Sequence, residues 1–134
     1  MEQQRSFSSW QIIIVLAVLA ALVGFGYWAV ANQSRLSRDY KRVADINQIK
    51  AALTLYHADL SRYPDKVEEG GQIMSEVDGT VYMQQVPGNP QPGGSPYAYQ
   101  VSEDRQSYTM AFVLEGDVGE LKAGTHTTDP TGIK

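Results

Sequence analysis

The sequence predicts an α+β fold: a long N-terminal helix, membrane-spanning in its first half, with a small antiparallel β-sheet packed on its C-terminal half. Three observations predict it. Residues 12–31, IIIVLAVLAALVGFGYWAVA, form an apolar run without a charge or a proline. From Asn32 to Tyr63 there is neither Gly nor Pro, and apolar residues recur at three- and four-residue steps. Beyond Pro64 the pattern changes to short alternating stretches separated by Gly- and Pro-rich breakers.

The apolar run comes first. About twenty residues at about 1.5 Å each match a bilayer core of about 30 Å. Trp10, Tyr27 and Trp28 sit near its ends, where amphipathic rings favour the headgroup level. Gly24 and Gly26 would each weaken a helix in water by about 1 kcal/mol, but glycine is commoner in membrane helices. Ala29-Val30-Ala31 also has the small-x-small pattern of a signal-peptide cleavage site. The run is longer than a usual signal core, its basic flank is Arg5 alone, and helix-forming sequence continues straight past Ala31. The expectation is a retained single-pass span.

With 134 residues the chain has room for this helix and one small domain. It divides into an N-terminal segment 1–11, a transmembrane helix 12–31, and a head 32–134 that includes an amphipathic helix 32–62. A net charge of −4 leaves no basic footprint for nucleic acid, so no nucleic-acid partner is expected. The chain has no cysteine, hence no disulfide and no thiolate metal site.

In the second half of the helix Val43, Ile46, Ile49, Leu53, Tyr56 and Leu60 form one apolar stripe, with Arg38, Arg42, Asp45 and Lys50 mainly off it. Pro64 ends the helix, because it disfavours helical geometry at Tyr63. Residues 65–79, with Gly70-Gly71, read as a loop with one turn of helix around 72–77. A short strand is expected over 80–86. The run Pro87-Gly88-Asn89-Pro90-Gln91-Pro92-Gly93-Gly94 is a surface loop. Tyr97, Tyr99 and Val101 alternate as a half-buried strand does, and Tyr108, Met110, Phe112 and Leu114 mark the strongest strand, 108–114. Residues 121–127 add a short strand, and 129–134 read as loose. Ile46, Ile49, Leu53, Tyr56, Tyr108, Met110 and Phe112 are the expected core of the head.

The fragments Arg38-Asp39-Tyr40-Lys41-Arg42, Asp45-Ile46-Asn47-Gln48-Ile49, Ala52-Leu53, Tyr56, Asp59 and Arg62-Tyr63-Pro64 resemble the helix end of type IV pilin-like proteins. They are most similar to the major pseudopilin of type II secretion. Val86-Pro87-Gly88-Asn89-Pro90, Pro96-Tyr97-Ala98-Tyr99 and Tyr108-Thr109 follow in the order of that family's proline loop and strands. The resemblance covers nearly the whole chain. It implies a structural subunit of a type II secretion or type IV pilus-like assembly, acting by helix bundling and head packing. Its implied partners are membrane lipid and other pilin-like subunits or secretion-machine proteins.

The departures fall at the processing motif. The family is cut after a Gly within a Gly-Phe-Thr-Leu-Ile-Glu type motif, whereas this chain reads Ser6-Phe7-Ser8-Ser9-Trp10-Gln11. Ser6 stands where the resemblance expects Gly, and Gln11 where it expects the acidic residue that neutralises a neighbouring subunit's N-terminal amine. These departures favour an alternative, a membrane-anchored ectodomain that binds a ligand or partner and does not polymerise.

Candidate chemistry is sparse. His57 and His126 have no second His, Cys or suitably spaced carboxylate beside them, so surface or packing roles are expected. No nucleophile-and-base spacing or phosphate-cradling motif appears, and neither enzymatic activity nor a cofactor is expected. Glu115, Asp117 and Glu120 cluster in one turn and could supply oxygen ligands to calcium, which the resemblance associates with the C-terminal region of major pseudopilins. The family's Asp- and Gly-rich segment is not recognisable, so an acidic solvated turn, with no metal, is the reading.

Arg35, Arg38, Lys41 and Arg42 form a basic collar past the span, read as a solvated helix face. The positive-inside rule would put this flank in the cytoplasm. The resemblance puts it outside, and the collar also carries Asp39 and Asp45. The expected location is therefore the inner cell membrane, single-pass, with the head on the extracytoplasmic side.

Overall fold

A computed structural model describes residues 9–134. The chain divides into two compact units, the first ending at Ser34 and the second comprising Arg35–Lys134. The predicted fold class is observed: one long N-terminal helix with small antiparallel sheets.

Helix α1 spans Ser9–Leu60, 52 residues. Its first part is apolar on every side and exposed, as with Ile13, Leu22, Val23, Phe25 and Val30. From Arg35 onward one face is buried, at Asp39, Arg42, Asp45, Ile46, Ile49, Ala52, Leu53 and Tyr56, which is the 3.6-residue period of a helix laid on a core. The helix stops before Pro64. Ser61 adopts φ +52°, the left-handed conformation common just past a helix end, and its N–H still donates to His57 O at 2.8 Å.

Two sheets follow. Strands β1, Ile73–Met74, and β2, Val81–Met83, pair antiparallel, with Ile73 opposite Met83. Strands β3 (Ala98–Val101), β4 (Tyr108–Leu114), β5 (Gly124–Asp129) and β6 (Gly132–Ile133) form an antiparallel meander in that order. Along β4 the side chains of Tyr108, Met110, Phe112 and Leu114 are buried while Thr109 and Val113 are exposed, the period of two that the alternation predicts. These four join Ile46, Ile49, Leu53 and Tyr56, together with Tyr63, Ile73 and Val86, in one core.

Several local expectations are corrected. No helical turn forms at 72–77. Ile73 is buried and Met74 exposed, a strand pattern, and the following turn is held by Ser75 Oγ accepting from Val77 N and Asp78 N. The strand expected over 80–86 shortens to Val81–Met83 because β1 offers only two residues to pair. Val86 instead exchanges backbone bonds with Gly70 and Gly71. The strand expected at 121–127 starts and ends later, as Gly124–Asp129, and residues 129–134 are ordered. Asp129 Oδ1 accepts from Thr131 N and Gly132 N, turning the chain into β6. The breaker run 87–94 is not wholly superficial either, since Asn89 is buried.

Candidate functional site: an exposed apolar helix and a buried ion cluster

Two features stand apart from ordinary packing, one in each unit. In the first, α1 is long and apolar enough to cross a membrane, and none of its apolar window is buried by the protein itself. Trp10, Tyr27 and Trp28 are all largely exposed, with Phe25 and Trp28 in ring contact at 6.0 Å. A side chain at Gly24 or Gly26 would meet nothing within 4 Å, so packing within this chain does not require either glycine. Ser34 Oγ folds back to Val30 O at 3.0 Å, satisfying its hydroxyl on its own helix. Gln11 lies exposed on α1, whereas Ser6 and Phe7 fall outside the described residues.

The second feature is a buried charge cluster centred on Arg42, whose side chain is 1% exposed. The collar reading is corrected here, because Arg42 is interior rather than solvated. Its Nη1 donates to Asp39 Oδ1 at 2.5 Å and to Glu115 Oε1 at 2.8 Å, and its Nε to Asn89 Oδ1 at 2.7 Å. Nη2 donates to the carbonyls of Pro90 and Gly93, each at 3.3 Å. All five donors of the guanidinium fork therefore have acceptors within the protein. Asp39 in turn accepts the Glu115 and Gly116 amides at 3.0 and 2.8 Å, so it pins the turn that follows β4. Asn89 Nδ2 donates to Ser95 O at 2.7 Å. The loop closes over that amide only because residue 94 is glycine: its φ is +91°, and a Cβ there would collide with the Asn89 side chain.

At the rim Arg38 grips Glu115 with two nitrogens, Nε at 2.8 Å and Nη2 at 2.5 Å. Those hydrogen bonds, followed by the one from Arg42, hold the Glu115 carboxyl down at about 2, against burial, which pushes it up. Lys41 pairs with Asp45, which also accepts the Tyr97 hydroxyl at 3.3 Å. Burial, then the charge of Asp45, push the Tyr97 phenol well above its usual range. One cluster thus ties the helix to the 87–95 loop and to the β4–β5 turn. It is a structural lock, with its donors turned inward.

The remaining candidates are placed as follows. The acidic turn does not converge, because Glu115 faces the arginines while Asp117 pairs with Lys122 at 2.9 Å. Among the described residues no group of three or more metal-ligating side chains is placed to hold an ion. His57 stacks on Tyr63 at 4.5 Å and His126 on Phe112 at 5.6 Å. Ile46, Ile49, Leu53, Tyr56, Tyr108, Met110 and Phe112 are all buried in the head.

Sequence reasoning missed Asp39, Arg42, Asn89 and Glu115 as one unit. A signal for half of it was present: positions 39, 42, 46, 49, 53 and 56 are a single three–four series, so the apolar stripe continues straight into Asp39 and Arg42.

Comparison with protein-family models, with curated proteins and with solved structures finds no match to this chain. The layout itself, a long apolar N-terminal helix followed by a small antiparallel sheet, is pilin-like.

Proposed function

We propose that this chain is a pilin-like structural subunit, a pseudopilin of a type II secretion or type IV pilus-like assembly. Residues 12–31 anchor it in the inner cell membrane, with the head on the extracytoplasmic side. The observation that carries the reading is the apolar first part of α1, exposed on every side. Apolar surface left in water forgoes about 25 cal/mol per Å². Such a helix needs lipid around it, and later the helices of neighbouring subunits. The inward-turned ion cluster supports a scaffold role, since it stiffens the head and spends its donors on the protein's own loops. In this mechanism helices bundle in a filament core and heads pack around them.

The test has two parts. Alkaline washing of membranes should leave the full chain in the pellet, and its release would overturn the anchor. Single cysteines at Ala20 or Gly24 should then crosslink copies to one another in cells that carry the assembly machinery. An anchored chain that stays monomeric would favour the second reading, a non-polymerising ectodomain, which the Ser6 and Gln11 departures support.

A further inference from the structure

Arg105 is held by its backbone and by Nε, while Nη2 is left over. The residue closes the β3–β4 turn at φ +55°, a left-handed conformation that persists in a non-glycine residue only where its surroundings impose it. Its N–H donates to Ser102 O at 2.9 Å, and its carbonyl accepts from Tyr63 N at 2.8 Å. Nε donates to Tyr63 O at 2.7 Å and pairs with Asp65 Oδ1 at 3.0 Å. Nη2 is buried without a hydrogen-bond acceptor, an expensive state for a charged donor. Glu76 Oε2 lies 3.6 Å from it and 3.5 Å from Arg62 Nη2, longer than the roughly 2.7–3.2 Å of an N–H···O bond. Two guanidinium groups thus converge on one loosely held, half-exposed carboxylate.

Asp65 and Glu76, the two carboxylates that face Arg105, also line a cleft of about 580 Å³, within the range of about 300–1,000 Å³ common for ligand sites. Lys66 adds a cation to its wall, and Pro64, Ile73 and Met74 make the apolar part. Strand β1 belongs to that wall and pairs with β2 alone, so among the described residues its outer edge is open to an extended chain. Glu76 stands in the exposed turn after β1, where its side chain reaches solvent by rotation without disturbing the core.

We propose that this cleft is a docking site for an extended, carboxylate-bearing peptide segment of a partner protein. The partner's carboxylate takes the place of Glu76 between Arg62 and Arg105, whose planar donor groups match its two oxygens. An adjoining apolar side chain lies against Met74 and Pro64. Asp65, already on Arg105 Nε, makes a doubly charged phosphate the poorer guest. Glu76 is an internal stand-in that covers the arginines until the partner arrives. The site lies wholly within the head and goes beyond the subunit reading, which is carried by the apolar part of α1.

The test uses the full chain in detergent micelles and three probes: the blocked tripeptide acetyl-Val-Glu-Val-amide, its Gln counterpart and inorganic phosphate. The Glu peptide should shift the Met74 methyl and Arg105 Nε–H resonances saturably, with an affinity about 10-fold above that of the Gln peptide. Glu76→Gln, which removes the competing charge, should tighten the Glu peptide by about 2- to 5-fold. Arg62→Gln, at a side chain outside the core, should weaken it by about 10-fold and leave the Gln peptide unchanged. Equal affinity for the two peptides, or no gain in Glu76→Gln, would overturn the proposal. Phosphate binding tighter than the Glu peptide would also overturn it, in favour of a simple anion site.

Discussion

Arg42 and Asp39 meet at 2.5 Å one helical turn apart, with side chains 1% and 0% exposed, and between them they hold two separate loops. Removing one partner of such a pair leaves the other charge buried without compensation, at a cost of about 3–5 kcal/mol. Arg42→Ala should therefore lower stability by about that amount in denaturant unfolding. Arg42→Lys keeps the charge but loses the planar fork, leaving acceptors on Asn89, Pro90 and Gly93 without donors, and should cost about 2 kcal/mol. If Arg42→Lys were neutral, the loop would not depend on the fork.

Glu115 supplies a pH prediction with a definite sign. Its carboxyl is held at about 2, below an ordinary value of 4.5, first by the Arg38 hydrogen bonds and then by Arg42. A depressed carboxylate contributes stability that is fully present above about pH 4.5 and is lost as pH falls toward about 2. Unfolding by urea at pH 6, 4 and 2 should show a loss of about 1 kcal/mol from this residue, because solvent screening at its exposed position keeps the contribution well below that of the full shift. Glu115→Gln should be less stable than wild type at pH 6, and the gap should close at the acid end. A gap that stays constant with pH would mean that Glu115 is not the titrating contact.

The second unit carries its own core, so a chain of residues 32–134 should fold as a soluble monomer. Leu53 is wholly buried between helix and sheet, and Leu53→Ala should cost about 2–5 kcal/mol. An unchanged melting midpoint in that variant would show that this face of the helix is not buried in the isolated head.

How much of this was legible in the sequence depends on the period of each element. The helix, its stripe from Ile46 to Tyr56 and strand β4 were readable because each repeats its pattern several times. Strands β1 and β6 have two residues each and cannot display a period at all. The end of β5 was hidden by its composition, because Thr127, Thr128 and Asp129 read as turn residues and yet pair in the sheet. The ion cluster was hidden for a different reason. Charges at positions 39 and 42 read as solvent-facing on chemistry, and only their spacing marks them as core. Their partners, Asn89 and Glu115, lie 47 and 73 residues from Arg42, and no local pattern joins them.

The last prediction concerns processing. If Ser6 and Gln11 are impaired versions of the family's Gly and Glu, the wild-type chain should be cut poorly by a prepilin peptidase and should assemble poorly. On that reading, Ser at the cleavage position would add a side chain that crowds the peptidase site. Gln11 can hydrogen-bond but cannot offset a buried ammonium, and an uncompensated charge in lipid costs several kcal/mol or loses its proton. Ser6→Gly combined with Gln11→Glu should therefore raise both cleavage and crosslinking between subunits. Gln11→Glu alone should help less, or hinder insertion, because an uncut chain offers the new carboxylate no amine partner. Co-expression with a prepilin peptidase, followed by intact mass and crosslinking, reads both effects. Cleavage of wild type after Ser6, with crosslinks as strong as in the double variant, would show that the departures are tolerated and that impaired processing is the wrong reading.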